Sequence, residues 1–329
     1  MNFQEILVNT DKGVTTITLN RPDKLNAWTP TMGNEVKSAI EIAGQNKECR
    51  CIIVTGAGRG FCAGADMGGL KNRADGSGAK PIEVDMEIKP YQADKGLGPD
   101  IIDDFEGRFA YMYNCPKPII AMINGACAGI GLIFTLYADL RFVNQDAKLT
   151  TAFASRGLIA EHGIAWMLPR LIGEANALDL LLTARIFKGD EAESMGLVNR
   201  SLSSEELTSY VNNYAENMAL KTSPRSLAIM KRQIRAGYSQ TFIESLKEAN
   251  EQMFASFEEF DFKEGVNSFM EKRPPNFFFH SSNSLTISGS SIVILWVYSC
   301  VRTSLITSTS FSSEKLASCA SVLIEPKRT

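Results

Sequence analysis

The chain has 329 residues, 44% hydrophobic and 22% charged, an ordinary globular balance that can bury a sizeable core. A net charge of −3 and a pI near 5.7 provide no positive field for nucleic acid or an anionic membrane surface. Seven cysteines at irregular positions and two histidines, His162 and His280, without C-x-x-C or H-E-x-x-H spacing, favour reduced thiols over a disulfide framework or a zinc site.

The first residues, Met1 to Glu5, carry no basic segment followed by an apolar run, so the cytoplasm is the expected location. Glu5 to Leu19 alternates apolar and polar residues around Asp11-Lys12-Gly13, predicting two strands joined by a tight turn. Thr29-Pro30 supplies a helix cap and a proline at the first helical position. Met32, Val36, Ala39, Ile40 and Ala43 then fall on one face, so a helix is expected to Gly44. Cys51 to Thr55 reads as a strand buried on both faces and runs into Gly56-Ala57-Gly58-Arg59-Gly60. Ile119 to Ile123 repeats the pattern, leading through Asn124-Gly125 to Gly129-Ile130-Gly131 and a helix. Between the two copies, Lys71 to Asp104 is rich in Gly, Asp, Lys and Pro and reads as a mobile loop long enough to cover an active site.

From Asp190 the signals are helical: Ser204 to Ala219, then Ser223-Pro224 to Ala236, then Thr241 to Glu244 with capping-box spacing. The expected organisation is an α/β core over residues 1–200, a helical region over 201–278 and a serine-rich, poorly ordered extension over 279–329. The apolar run Ile292 to Tyr298 in that extension falls far short of the roughly 20 residues that span a bilayer, so no membrane anchor is expected.

Glycine-rich corners invite a nucleotide-binding reading, but Phe61 stands where the third glycine of G-x-G-x-x-G belongs. No G-x-x-x-x-G-K-[ST] and no G-x-S-x-G nucleophile elbow occurs. Two strand-to-helix corners that each present a backbone N–H would instead form an oxyanion hole, helped by the helix dipole. The simpler alternative is that these glycines only turn the chain.

Asn20-Arg21-Pro22-Asp23-Lys24-Leu25-Asn26-Ala27, Phe61-Cys62-Ala63-Gly64-Ala65-Asp66, Lys117-Pro118-Ile119-Ile120-Ala121 and Asn124-Gly125-Ala126-Cys127-Ala128-Gly129-Ile130-Gly131 resemble the crotonase (enoyl-CoA hydratase/isomerase) superfamily in order and spacing. Gly157-Leu158, Leu168-Pro169-Arg170-Leu171-Ile172-Gly173, Gly196-Leu197-Val198 and Glu271-Lys272-Arg273-Pro274 extend the resemblance over about residues 3–278. It implies a ββα spiral core followed by C-terminal helices, assembly as a homotrimer or hexamer, and an acyl-CoA thioester as substrate, with coenzyme A arriving on the substrate and no separate cofactor or metal. It further implies that the N–H groups of Cys62 and Ile130 grip the thioester oxygen, with the Cys62 thiol idle. Lys24, Leu25, Ala27, Ala63, Ala65, Asp66, Met67 and Gly129 match substrate-binding positions.

The hydratases of that superfamily carry two glutamates, at positions matching Ile133 and Phe153. Neither side chain can move a proton. Glu161, in Gly157-Leu158-Ile159-Ala160-Glu161-His162-Gly163, matches the single acid of peroxisomal-type Δ3,Δ2-enoyl-CoA isomerases and of the epoxyphenylacetyl-CoA isomerases, which the chain also resembles at Trp166 and Leu168 to Leu171. One carboxylate suffices to shift a double bond, so the site pattern is most like an isomerase. His162 is a candidate second proton carrier, and Asp139 and Arg141 are expected to make structural polar contacts. A hydratase or other lyase using Glu161 and His162, and an inactive acyl-CoA-binding protein, stay open as alternatives.

Overall fold

Thr10 and Thr15 face each other across the turn that starts the fold, with Lys12 and Gly13 both at positive φ, so that strands β1 (Ile6–Asp11) and β2 (Val14–Leu19) pair antiparallel. The structure, a computed structural model, describes residues 3–75 and 107–277. After a 3₁₀ turn at Pro22–Lys24 comes helix α1 (Pro30–Gln45), whose Thr29 hydroxyl accepts from the Met32 N–H at 3.0 Å, and whose buried face carries Met32, Val36, Ala39, Ile40 and Ala43. Both the cap and the face are those expected from the sequence.

The centre of the chain repeats one unit three times. β3 (Cys51–Gly56) is followed by β4 (Gly60–Cys62) and α2 (Met67–Ala74). A single helical turn, α3 (Tyr111–Asn114), precedes β5 (Ile119–Ile123), β6 (Ala126–Ala128) and α4 (Ile130–Leu136). Finally β7 (Leu140–Asn144) and β8 (Lys148–Thr150) lead to α5 (Ile164–Thr183), which breaks at Gly173, where φ is 77°. In each unit the first strand joins a six-stranded sheet of order β1-β2-β3-β5-β7-β10, and the second joins a four-stranded sheet of order β4-β6-β8-β9. Here β9 is Phe187–Lys188 and β10 is Arg200–Leu202, with α6 (Gly189–Ser194) between them. Pairing along β2-β3-β5-β7-β10 and β4-β6-β8 is parallel. This is the ββα spiral that the resemblance implied, closed by helices α7 (Ser204–Lys221), α8 (Pro224–Ala236), α9 (Phe242–Glu258) and α10 (Phe260–Met270).

Two apolar clusters hold these layers. The larger fills the space between the sheets and packs α1 and α4 against β2, β3 and β5, with Phe61, Phe109, Phe134 and Trp28 at its centre. The smaller seats Leu207, Val211, Ala215 and Ala219 of α7 on Val14, Cys51, Ile53, Ile120 and Phe142 of the outer sheet face. Ser223 caps α8 as its position suggested, Ser203 caps α7, and Thr241 and Glu244 close a full capping box on α9.

The loop expected over 71–104 needs a correction at its start. Lys71 to Ala74 are the last residues of α2, whose first turn is satisfied by the Asp66 carboxylate accepting from the Gly68 N–H at 3.0 Å. The rest of that loop, and the extension expected over 279–329, lie outside the described residues. Among the described residues no helix is long and apolar enough to cross a membrane.

Candidate active site

The two glycine corners are pressed together at backbone contact. A Cβ placed on Gly131 would lie 2.5 Å from the Cys62 carbonyl oxygen, and one on Gly125 would lie 2.1 Å from the Arg59 oxygen. Only glycine permits such approach. Asn124 ties the corners laterally: its Oδ1 accepts from the Gly56 N–H at 3.1 Å and its Nδ2 donates to the Gly58 oxygen at 2.9 Å. The two short strands that end in these corners, β4 and β6, pair Cys62 with Cys127. Gly131 of the second corner is thereby brought against Cys62 of the first.

Gly129 caps α4 with φ 50° and ψ −118°, a conformation closed to residues with a side chain, and its own N–H is used by the Thr150 oxygen at 3.0 Å. The N–H of Ile130 then opens a helix whose first amides have no partner within the helix and whose dipole is positive at this end. Every residue of α4 is buried, so these donors sit in a low-dielectric setting. The Cys62 thiol is buried and donates to the Gly64 oxygen at 3.8 Å, and burial pushes its pKa up to about 12. A thiolate nucleophile is disfavoured there.

The segment that carries candidates Leu25 and Ala27 runs beside the segment that carries Ala63, Ala65 and Asp66. Ala63 N–H donates to the Leu25 oxygen at 3.0 Å, Trp28 N–H to the Gly64 oxygen at 2.8 Å, and Asp66 N–H to the Trp28 oxygen at 3.0 Å. Leu25 and Asn26 both adopt positive φ to make this turn, and Leu25 packs over Gly60. Lys24 is exposed at the end of the 3₁₀ turn and Met67 is exposed at the start of α2, while Leu25, Ala27, Ala63 and Ala65 between them are half-buried. Asp66 is engaged: its carboxylate accepts from both Arg21 Nη atoms at 3.2 Å. Burial, which raises its pKa, is outweighed by the hydrogen bonds from Arg21 and Gly68, leaving the group below its ordinary value.

Glu161 and His162 lie elsewhere, on the turn just before α5, and no hydrogen bond joins them to Cys62 or Ile130 among the described residues. His162 has φ 51° and Gly163 φ 79°, and the Ile164 N–H closes the turn onto the Glu161 oxygen at 3.1 Å. The Glu161 side chain is 36% exposed and the His162 side chain 25%, with Oε2 and Nε2 at 4.0 Å. Burial, and secondarily the charge of Arg108, lowers the His162 pKa to about 4, so the imidazole is neutral at pH 7. Ile133 is fully buried, and the Phe153 ring approaches Gly129 to the point that a Cβ there would sit 3.9 Å from it. Both positions that hold acids in the hydratase pattern are therefore apolar walls at the corner.

Asp139 and Arg141 make the structural contacts expected of them. Asp139 accepts from Lys231 at 2.7 Å, Arg235 at 3.3 Å and the Ile119 N–H at 2.8 Å. Buried Arg141 donates to the Leu197, Thr135 and Ala138 oxygens. Among the described residues no group of three His, Cys, Asp or Glu side chains could hold a metal ion.

The sequence model described as enoyl-CoA hydratase/isomerase matches residues 9–87 and 99–279. The chain belongs to the enoyl-CoA hydratase/isomerase family. It is 30% identical over 273 residues to the 1,2-epoxyphenylacetyl-CoA isomerase of Escherichia coli (strain K12), covering 83% of this chain and 97% of that one. It is 31% identical over 277 residues to a probable enoyl-CoA hydratase of Rhodobacter capsulatus, covering 84% and 99%. Its fold superposes on the crystal structure of a probable enoyl-CoA hydratase/isomerase from Mycobacterium abscessus with a TM-score of 0.72 at 26% identity, covering 83% and 98% of the two chains. This member of the family is thus an enzyme of the hydratase or isomerase type.

Asn26 and Asn124 hold the family's paired corners, yet sequence reasoning passed over both. Asn26 is buried and bonds the Ala57 and Gly60 oxygens at 2.9 and 2.8 Å while accepting from the Arg21 N–H at 2.8 Å. The available signal was an asparagine beside each corner, a side chain able to donate and accept in one plane.

Proposed function

We propose that this enzyme is an enoyl-CoA isomerase. Glu161 removes a proton from C2 of a 3-enoyl thioester, the electron pair moves onto the thioester oxygen as a dienolate, and the same carboxyl returns the proton at C4. The N–H groups of Cys62 and Ile130 hold the developing oxyanion, each worth about 3 to 4 kcal/mol, and a positioned base adds about 10² to 10⁴ in rate. The observation that carries the reading is that buried, apolar Ile133 and Phe153 stand where the hydratase pattern has its acids, which leaves Glu161, on the turn before α5, as the candidate carboxylate. Lys24, Leu25, Ala27, Ala63, Ala65, Asp66, Met67 and Gly129 bind the CoA thioester in this reading, supported by the paired course of segments 25–28 and 63–66. Coenzyme A enters as part of the substrate and no other cofactor is used.

A hydratase or related lyase is the second reading, favoured by the Glu161–His162 pair on one turn. Incubation with 3-enoyl-CoA and, separately, 2-enoyl-CoA separates the two by the conjugated-thioester absorbance. A rise with the first supports the isomerase, loss with the second supports the hydratase, and silence in both with tight CoA binding indicates an inactive acyl-CoA-binding protein. Glu161→Gln is expected to lower kcat by about 10³ with unchanged CoA affinity. Undiminished turnover removes Glu161 from the mechanism.

We also infer a homotrimer or hexamer, working in the cytoplasm, with the ββα core over residues 1–200 and the helical region over 201–278 as its parts. Helix α9 buries none of its residues, and Phe242, Phe254 and Phe269 are 77%, 64% and 81% exposed, an apolar surface of the kind that self-association covers. Light scattering coupled to size exclusion measures the assembly directly, and a monomer at micromolar concentration refutes it.

A further inference from the structure

We propose that Tyr137 is a positioning residue for the base, an inference that rests on the isomerase reading of Glu161. The Glu161 carboxylate has no hydrogen-bond partner among the described residues, and His162 Nε2, at 4.0 Å from it, is uncharged at neutral pH. Where the carboxylate points is therefore set by the backbone of its turn. That backbone is under strain, with two consecutive residues, His162 and Gly163, at positive φ, the first of them not a glycine. The external hydrogen bond that fixes it comes from the Tyr137 hydroxyl, which donates to the His162 oxygen at 2.9 Å across 25 residues.

Tyr137 is the residue that ends α4, the helix whose first residue is Ile130. One short, wholly buried helix thus carries an oxyanion donor at one end and the anchor of the base at the other. The tyrosine ring itself cannot wander: Tyr113 lies at 4.9 Å and Phe109 at 5.7 Å between ring centroids, and Phe109 also meets the His162 ring at 6.0 Å. A Cβ on Gly163 would lie 3.2 Å from the Tyr137 hydroxyl, so the phenol fits against this turn because a glycine follows His162. Burial raises the phenol pKa to about 12, which keeps it a donor throughout the working pH range.

The test is a cycle of Tyr137→Phe, Glu161→Gln and the double variant, assayed with 3-hexenoyl-CoA. Tyr137→Phe keeps the ring and its packing and removes only the hydroxyl. A base displaced by a fraction of an ångström lowers kcat about ten- to a hundredfold, while KM stays within about twofold because the CoA groove is untouched. In the Glu161→Gln background the same change alters the residual rate by less than about twofold, since there is no base left to aim. The inference is overturned if Glu161→Gln is inactive while Tyr137→Phe turns over at the wild-type rate, or if the hydroxyl matters as much without Glu161 as with it. Wild-type turnover by Glu161→Gln instead removes the isomerase reading, and this inference with it.

Discussion

Replacing Gly131 by alanine drives a methyl carbon into the carbonyl of Cys62. The new Cβ would start 2.5 Å from that oxygen and 2.7 Å from the Cys62 Cβ, where ordinary contact begins at 3.4 Å. The two corners must therefore separate by about 0.9 Å, enough to take an N–H donor from hydrogen-bond distance to beyond it. Loss of one oxyanion donor costs about 10² to 10³ in kcat, or about 3 kcal/mol, while overpacking of the corner costs about 1 to 3 kcal/mol of stability. Gly131 has no positive φ, so backbone strain does not contribute. Gly265→Ala in α10, where an added Cβ meets nothing within 4 Å, is the matched control and is expected to keep full activity and gain about 0.5 to 1 kcal/mol. Steady-state kinetics on 3-enoyl-CoA, with urea unfolding of both variants, reads the two effects separately. A folded Gly131→Ala protein with kcat within about fivefold of wild type would refute the claim that the pressed corners set the oxyanion geometry.

Cys62→Ala should leave kcat within about threefold, because the proposed mechanism uses only the Cys62 backbone, and cost about 1 to 2 kcal/mol in urea unfolding from the lost buried sulfur. A collapse in activity at constant stability would give the thiol a role. The folded pKa of His162 lies below its ordinary value of 6.5, so the unfolded chain takes up the proton first as pH falls and stability is lost from pH 6.5 down to about 4. Between pH 7 and pH 5 this amounts to about 2 kcal/mol, and His162→Gln should remove that part of the pH dependence. Lys231→Met leaves the half-buried Asp139 short of its nearest cation, at 2.7 Å in the wild type, and is expected to cost about 3 kcal/mol in stability without changing KM.

The elements that were legible in the sequence are those whose signal is local. β3 and β5 are apolar runs, and α1, α7, α8 and α9 each begin with a capping side chain that the sequence displays. The strands of the second sheet were not legible, because β4, β6 and β8 are three residues long and too short to show a period. Without them the chain reads as strand, loop and helix, and the step between sheets that brings the corners together is invisible. The candidate site divides the same way. Cys62, Ile130 and Glu161 are candidates that motif alone supplies, whereas the contact of Gly131 with Cys62, the clamps made by Asn26 and Asn124, and the reach of Tyr137 to His162 join residues 25 to 69 positions apart. Nothing in a single sequence reports such pairs.

Helix α4 offers no exposed residue through which water or a counterion could reach position 133. A carboxylate introduced there would arrive without solvation or a cation, at an effective cost of several kcal/mol, and would take up a proton rather than activate water. Placing acids at 133 and 153 by substitution would therefore not by itself install two-acid activation of water. Phe134, the next residue of the helix, packs against Trp28, Phe61 and Phe109, so the apolar character around this helix belongs to the whole interior rather than to two positions.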